Sequence, residues 1–134
     1  MPRKPPLTRG TETVLLVEDE DAVRAVASRV LKQQGYAVRE ARNGREALAM
    51  LERPDHGIEL VLTDVVMPDM GGIELADRVS RVHPDVRIVY MSGYTEGDKL
   101  QPGLRNSPYP FLQKPFSPES LAVRIRETLD RPGR

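Results

Sequence analysis

Five polar residues come directly after apolar segments of the sequence, and their chemical types complement one another. Glu18 and Asp19 begin the acidic run EDED, Asp64 ends the segment LVLTD, and Ser92 and Lys114 follow two later apolar segments. Three carboxylates held within a few ångströms repel one another unless a cation neutralises them. Hard oxygen ligands suit Mg²⁺, with Mn²⁺ as a possible substitute. A carboxylate can form an aspartyl-phosphate, and an ammonium and a hydroxyl can bind phosphoryl oxygens, so the set predicts phosphoryl transfer to Asp64.

Each of these residues also has an ordinary structural interpretation. Acidic residues near a helix N-terminus interact favourably with the helix dipole, by about 0.3–1 kcal/mol each. Aspartate is common at turns and at helix starts. Capping alone is a weak explanation for polar or charged groups at four strand ends, and we therefore favour the functional interpretation.

Alternation of two apolar patterns predicts an α/β domain. Segments that are apolar and β-branched throughout are typical of buried parallel strands. They alternate with segments in which apolar residues recur at helical spacing. The predicted strands are TVLLVE, YAVREA, IELVLTD, VRIVYM and a short fifth strand that leads through FLQKP.

Helix ends are indicated by residues with known terminal preferences. Gly35 lies where the first helix should end, because glycine tolerates positive φ. The last helix is predicted to start with Ser117 as N-cap and Pro118 at its first position. The residues predicted to form the apolar face of the first helix are Val23, Val26, Ala27, Val30 and Leu31, and those of the last are Leu121, Ala122, Ile125 and Leu129.

The alternation of strands and helices implies a doubly wound parallel sheet covered on both faces. Parallel neighbours need crossover connections, which are right-handed. Ligands of such folds bind outside the carboxyl ends of the strands, so the functional residues should cluster there. The segment from Thr95 to Pro110 contains Pro102, Gly103 and Pro108, and we expect its helix, the fourth, to be short or irregular.

Composition limits the classes of function. A chain of 134 residues with 39% hydrophobic residues suits one domain, predicted at 12–130 between a flexible linker at 1–11 and a tail at 131–134. Twenty basic residues balance 20 acidic ones, which gives no electrostatic reason to expect nucleic acid or a membrane as partner. The chain has no cysteine, which excludes disulfides and thiol catalysis and is compatible with the cytoplasm. No segment is apolar enough to span a bilayer.

Four motifs together resemble those of a known family. VLLVEDE, LVLTDVVMPDMGG, VYMSGY and FLQKPF have the order and spacing found in the receiver domain of two-component response regulators, and the resemblance covers about Glu12 to Leu129. It implies a flavodoxin-like five-stranded parallel sheet of order 2-1-3-4-5. It also implies that Asp64 is the phosphoacceptor and that Glu18 and Asp19 form the acidic pair of a Mg²⁺ site, with Asp19 favoured as the direct ligand. The Val66 carbonyl would complete the ligands of the metal.

The resemblance assigns roles to residues after the last two strands. It implies that the Ser92 hydroxyl reorients towards the phosphoryl group, that Lys114 pairs with that group, and that Pro115 follows a cis peptide bond. Phe111 stands where many receivers carry a switch tyrosine. Any coupling between Ser92 and Phe111 would therefore work by packing, or Phe111 is simply a core aromatic.

Two positions that flank the phosphorylation pocket in the family are Val66 and Tyr94 here. Neither side chain offers a carboxylate or an amide to orient an attacking water. We therefore expect a fairly long-lived phosphoryl group, although Tyr94 could also be a surface residue without a kinetic role.

Three other functions are compatible with parts of the sequence. An aspartate-nucleophile phosphatase carries a second aspartate two residues after the nucleophile, where this chain has Val66. An FMN carrier would need a phosphate-binding loop after the first strand, where this chain has four acidic residues. A pseudo-receiver that binds partners without chemistry remains an alternative, although the acidic pocket, Ser92 and Lys114 are all present.

The resemblance also implies the partners. The donor would be a sensor histidine kinase or a histidine phosphotransfer protein, and the domain itself would be a phosphoacceptor, monomeric or weakly dimeric, rather than an enzyme. RGTETVLLVEDE and SGY resemble the carboxy-terminal receivers of hybrid sensor histidine kinases. The chain is expected to be either a stand-alone receiver or a fragment of such a protein, and the parent could then be a histidine kinase.

Overall fold

The computed structural model describes residues 10–93 and 108–131, in which five parallel strands form one sheet. The strand order is β2-β1-β3-β4-β5, with every neighbouring pair parallel. This confirms the predicted flavodoxin-like sheet. The strands are β1 (Thr13–Val17), β2 (Ala37–Ala41), β3 (Leu60–Asp64), β4 (Arg87–Ser92) and β5 (Phe111–Gln113).

The described residues contain four helices, which lie on both faces of the sheet. One apolar cluster includes residues of α2 and α3, and the other includes residues of α1 and α4. The helix predicted between β4 and β5 falls mostly at residues 94–107, outside the described residues. The helices are α1 (Asp21–Gln33), α2 (Gly44–Leu51), α3 (Gly72–Val82) and α4 (Pro118–Asp130).

Helix ends follow the signals in the sequence. Ser117 accepts a hydrogen bond from the amide of Ser120 at 3.0 Å, and Pro118 is the first residue of α4. Gly35 follows α1 with φ of +100°, and a Cβ atom added at this position would overlap the carbonyl oxygen of Gly10. These positions confirm the predicted start of α4 and the predicted end of α1.

One residue predicted to lie on the buried face of α1 is exposed in the structure. Val26 is 57% exposed, whereas its neighbour Ala27 is fully buried. Successive residues of an α-helix are separated by about 100° around its axis. The buried stripe of α1 is therefore narrower than the apolar pattern predicts, and the assignment of Val26 to it was wrong.

Backbone hydrogen bonds continue past the strands and fix the loops at the carboxyl edge of the sheet. The Glu18 amide donates to the Ala41 carbonyl at 3.1 Å, and the Lys114 amide donates to the Ser92 carbonyl at 2.8 Å. The residues after β1 and β5 are thus tied to neighbouring strands. In residues 10–93 and 108–131, no helix has the length and apolar character needed to cross a membrane.

Candidate functional site

An ammonium group joins two carboxylates at the carboxyl edge of the sheet. Lys114 Nζ donates to Glu18 Oε1 and to Asp64 Oδ2, each at 2.9 Å. Glu18 is fully buried and Asp64 is 7% exposed, so Lys114 offsets two charges that have lost most of their contact with water. Burial lowers the pKa of Lys114, but its hydrogen bonds to Asp64 and Glu18 raise that pKa by more, and the net shift is upward. Lys114 is therefore a fixed positive charge near neutral pH.

The backbone of Asp64 is held closely from two sides. Asp64 is the last residue of β3, and its carbonyl accepts a hydrogen bond from Thr63 Oγ1 at 3.0 Å. The first residue of α3, Gly72, packs so close to the Asp64 carbonyl that a Cβ atom at residue 72 would overlap its oxygen. The Gly72 amide donates to the Val65 carbonyl at 2.8 Å. The loop after β3 therefore packs tightly against the backbone of Asp64 and Val65.

Three carboxylates gather beside Lys114. One oxygen from each of Glu18, Asp19 and Asp64 lies within 4.8 Å of the others. Oxygen ligands of one octahedral Mg²⁺ ion lie about 3.0 Å apart when adjacent and about 4.2 Å apart when opposite, so small side-chain rotations would bring these oxygens onto one ion. The residues thus fit a small divalent cation, both in the type of donor and in their spacing.

The three carboxylates are not equivalent within this cluster. Glu18 Oε1 accepts from Lys114, and Glu18 Oε2 accepts from the Glu20 amide at 3.1 Å. Both Glu18 oxygens thus already receive hydrogen bonds from the protein, whereas the Asp19 side chain is exposed. This difference favours Asp19 over Glu18 as the direct ligand of a cation.

The end of β4 places a hydroxyl at the same edge of the sheet as Asp64. Asp64 pairs with Met91 across the sheet, so Ser92 lies one residue beyond that pair. Ser92 is buried, and its hydroxyl donates to the Gly93 carbonyl at 3.0 Å. The peptide bond between Lys114 and Pro115 is cis.

Arg24 also contacts the acidic loop, and it belongs to none of the motifs in the sequence. Its Nη1 donates to the Glu18 carbonyl at 2.8 Å, and its Nε donates to Glu40 Oε1 at 3.1 Å. An arginine in the first turns of a helix is usually a solvated residue, so the sequence carries no signal for these contacts.

Comparison with known proteins decides the family. The model of the response regulator receiver domain matches residues 14–126. The chain is a receiver domain. Receiver domains of two-component systems are phosphorylated on an aspartate, bind Mg²⁺ in an acidic pocket, and interact with histidine kinases or phosphotransfer proteins.

Individual relatives agree with this result. The receiver domain is 42% identical over 122 residues to the sensor kinase CckA of Brucella abortus (strain 2308), covering 91% of this chain and 13% of that protein. It is 31% identical over 120 residues to sporulation initiation phosphotransferase F of Bacillus subtilis (strain 168), covering 88% of this chain and 94% of that protein. The crystal structure of the receiver domain from the hybrid histidine kinase CckA superposes with a TM-score of 0.72 at 33% identity, covering 88% of this chain and 99% of that one.

Val66 and Phe111, two other residues predicted to belong to the site, are described in the structure, whereas Tyr94 is not. Val66 follows Asp64 by two residues and is 59% exposed. Phe111 is partly buried against the cluster on the α2 and α3 face, and it pairs in register with Tyr90. Tyr94 lies outside the described residues.

Proposed function

We propose that this receiver domain accepts a phosphoryl group on Asp64 from a phosphohistidine, in a reaction that depends on Mg²⁺. The observation that carries the proposal is the position of Asp64. Its carboxylate is held at the end of β3, with one oxygen on Lys114 and with two further carboxylates beside it. This is a nucleophile with a fixed cation next to it.

The proposed transfer makes one bond and breaks another. An Asp64 oxygen attacks the phosphorus atom and forms a P–O bond. The P–N bond of the phosphohistidine breaks, and its electron pair stays on the imidazole nitrogen. Lys114, now 2.9 Å from Asp64, is close enough to pair with the oxygens of the transferred group.

Asp19 and Asp64 would hold Mg²⁺ directly, with Glu18 beside them and the Val66 carbonyl completing the ligands that the protein supplies. Mn²⁺ would suit the same oxygen donors. When bound, the ion neutralises charge on the phosphoryl oxygens. Glu18 keeps Lys114 in place through the contact at 2.9 Å.

We further propose that the new charge switches the conformation through Ser92 and Phe111. In the described structure the Ser92 hydroxyl donates its hydrogen bond to the Gly93 carbonyl. A phosphoryl group on Asp64 is a stronger acceptor than a carbonyl, and it would draw this hydroxyl away. The adjacent edge strand β5 carries Phe111, whose ring is only partly buried and would repack in response.

The proposed donor is a sensor histidine kinase or a histidine phosphotransfer protein. The relatives named a sensor kinase and a phosphotransferase support this class of partner. The similarity to the hybrid kinase CckA supports an origin as a receiver of a hybrid histidine kinase. Such a domain would act in the cytoplasm, with residues 12–130 as its folded part.

Mass spectrometry of the intact chain tests the proposed function. After incubation with acetyl phosphate and Mg²⁺, we expect the mass to rise by one phosphoryl group. Chelation of the metal with EDTA should suppress the gain, because the carboxylates and the phosphoryl group would then repel one another.

A chain that keeps its unmodified mass in Mg²⁺ would contradict the proposal and favour a pseudo-receiver that binds partners without chemistry. Incubation in Mg²⁺ without acetyl phosphate is the control. Circular dichroism in both buffers should show the same folded domain, so that the effect of EDTA can be assigned to the site.

Val66 is proposed to lengthen the lifetime of the phosphoryl group. Its exposed apolar side chain lies two residues after Asp64 and cannot orient water. Val66→Asn supplies an amide at this position, and we expect dephosphorylation to become faster by about tenfold. This is less than the roughly 100-fold or more of a positioned general base, because the amide can orient a water molecule but does not take its proton. The decay of the phosphorylated mass after removal of the donor measures this rate.

Val82→Asn is a matched control, because Val82 is also exposed but lies at the end of α3. Equal decay rates for the native chain and Val66→Asn would contradict a role for Val66 in the lifetime.

A further inference from the structure

We propose that Arg24 is a positioning residue that shapes the acidic loop for binding of the divalent cation. The inference rests on the proposed function, since it assigns a task to a residue outside the metal ligands. Arg24 lies in the second turn of α1, and its side chain is 14% exposed. The Arg24 side chain is therefore mostly shielded from water by the protein.

The guanidinium nitrogens of Arg24 donate hydrogen bonds to three different segments. Nη1 donates to the Glu18 carbonyl at 2.8 Å, Nη2 to Asp21 Oδ1 at 2.7 Å, and Nε to Glu40 Oε1 at 3.1 Å. The loop after β1, the first turn of α1 and the edge strand β2 are thus joined by one side chain. A planar guanidinium can make these three contacts together, whereas the single ammonium of lysine lacks the same fork geometry.

The contact with the Glu18 carbonyl bears directly on the cation site. This carbonyl belongs to the peptide group between Glu18 and Asp19, so Arg24 fixes the plane from which both carboxylates project. Glu18 is also held by Lys114 and by the Glu20 amide. Asp19 has an exposed side chain, and its direction depends strongly on the orientation of this peptide group.

A second hydrogen bond fixes the residue that holds Arg24. Ser28 Oγ donates to Glu40 Oε2 at 3.0 Å, while Glu40 Oε1 accepts from Arg24. Ser28 is 4% exposed. A chain of contacts therefore runs from the buried face of α1 through β2 to the acidic loop. Partners that orient ligand residues in this way commonly change metal affinity by 10- to 100-fold when they are replaced.

Charge and geometry make opposite predictions for the removal of Arg24. A positive charge near the site repels Mg²⁺, so loss of this charge alone would strengthen Mg²⁺ binding. Loss of the positioning contacts would weaken it. The direction of the change in affinity therefore separates the two effects.

The experiment is calorimetric titration of the full chain with Mg²⁺, using Arg24→Lys, Arg24→Gln and the control Arg29→Gln. Arg29 is an exposed residue of the same helix, so its replacement removes one charge without touching the acidic loop. We expect the dissociation constant for Mg²⁺ to rise about tenfold or more in both Arg24 variants. The constant of Arg29→Gln should stay within twofold of the native value.

Thermal unfolding in EDTA shows which variants are folded at the temperature of the titration. Ser28→Ala is a milder variant that loosens Glu40 without changing any charge. We expect the dissociation constant to rise only about threefold, less than the roughly 10- to 100-fold typical of partners that orient ligand residues, because Ser28 acts on the acidic loop only through Glu40 and Arg24. Unchanged or tighter Mg²⁺ binding by folded Arg24→Lys and Arg24→Gln would overturn the inference about Arg24 but leave the proposed function intact. Absence of Mg²⁺ binding by the native chain would overturn both this inference and the metal requirement of the proposed function.

Discussion

Replacement of Asp64 with asparagine is expected to abolish the gain of a phosphoryl group from acetyl phosphate. The amide has nearly the same shape as the carboxylate but is neither charged nor nucleophilic, and it is a poorer ligand for Mg²⁺. The contacts of Thr63 and Gly72 involve the Asp64 carbonyl, which the substitution leaves in place. The fold should therefore persist while the chemistry is lost. Intact mass after incubation with Mg²⁺ and acetyl phosphate measures the effect.

Asp77→Asn is the matched control for Asp64→Asn. Asp77 is an exposed residue of α3 that pairs with Arg81 at 3.1 Å, and its loss should leave phosphorylation unchanged. A phosphoryl group found at native levels on Asp64→Asn would place the acceptor at another residue and contradict the assignment.

Replacement of Gly72 with alanine is expected to damage both stability and phosphorylation. The added methyl group would overlap the Asp64 carbonyl oxygen, which belongs to the backbone and cannot rotate away. Overpacking of this kind commonly costs about 1–3 kcal/mol, and the rigid neighbour places Gly72→Ala at the upper end. A displacement of Asp64 by about 1 Å could slow phosphorylation on the order of 100-fold. Urea unfolding and the rate of phosphorylation measure the two effects.

Gly93→Ala provides the comparison for Gly72→Ala. Among residues 10–93 and 108–131, no heavy atom outside the chain neighbours of Gly93 lies within 4 Å of the position that a Cβ at residue 93 would occupy. This variant should keep nearly native stability. Native stability and rate in Gly72→Ala would show that the loop after β3 yields easily, contrary to the close packing described.

The sequence predicts the sheet and the ends of its strands well, because both depend on local patterns. Apolar runs such as LVLTD can be recognised without a structure, and Asp64 falls at the end of one. The parallel order then places residues of distant segments at one edge. The side-chain contacts of Lys114 with Glu18 and Asp64 agree with that placement.

Other features depend on contacts that no local pattern records. The role of Gly72 is visible only when the Asp64 carbonyl is seen beside it. Arg24 is one of 20 basic residues, and its contacts with Glu18 and Glu40 require that β1, β2 and α1 be placed together. Val26 shows that a local pattern can also predict burial wrongly, since this apolar residue at helical spacing is exposed.

The bond between Lys114 and Glu18 also bears on the biogenesis of the domain. It joins residues 96 positions apart, and the bond to Asp64 joins residues 50 positions apart. During synthesis on the ribosome the three carboxylates emerge well before the lysine that neutralises two of them, and long-range contacts of this kind form late. Lys114 therefore joins the acidic cluster only after β5 has joined the sheet. The domain can accept a phosphoryl group only from this last stage of folding.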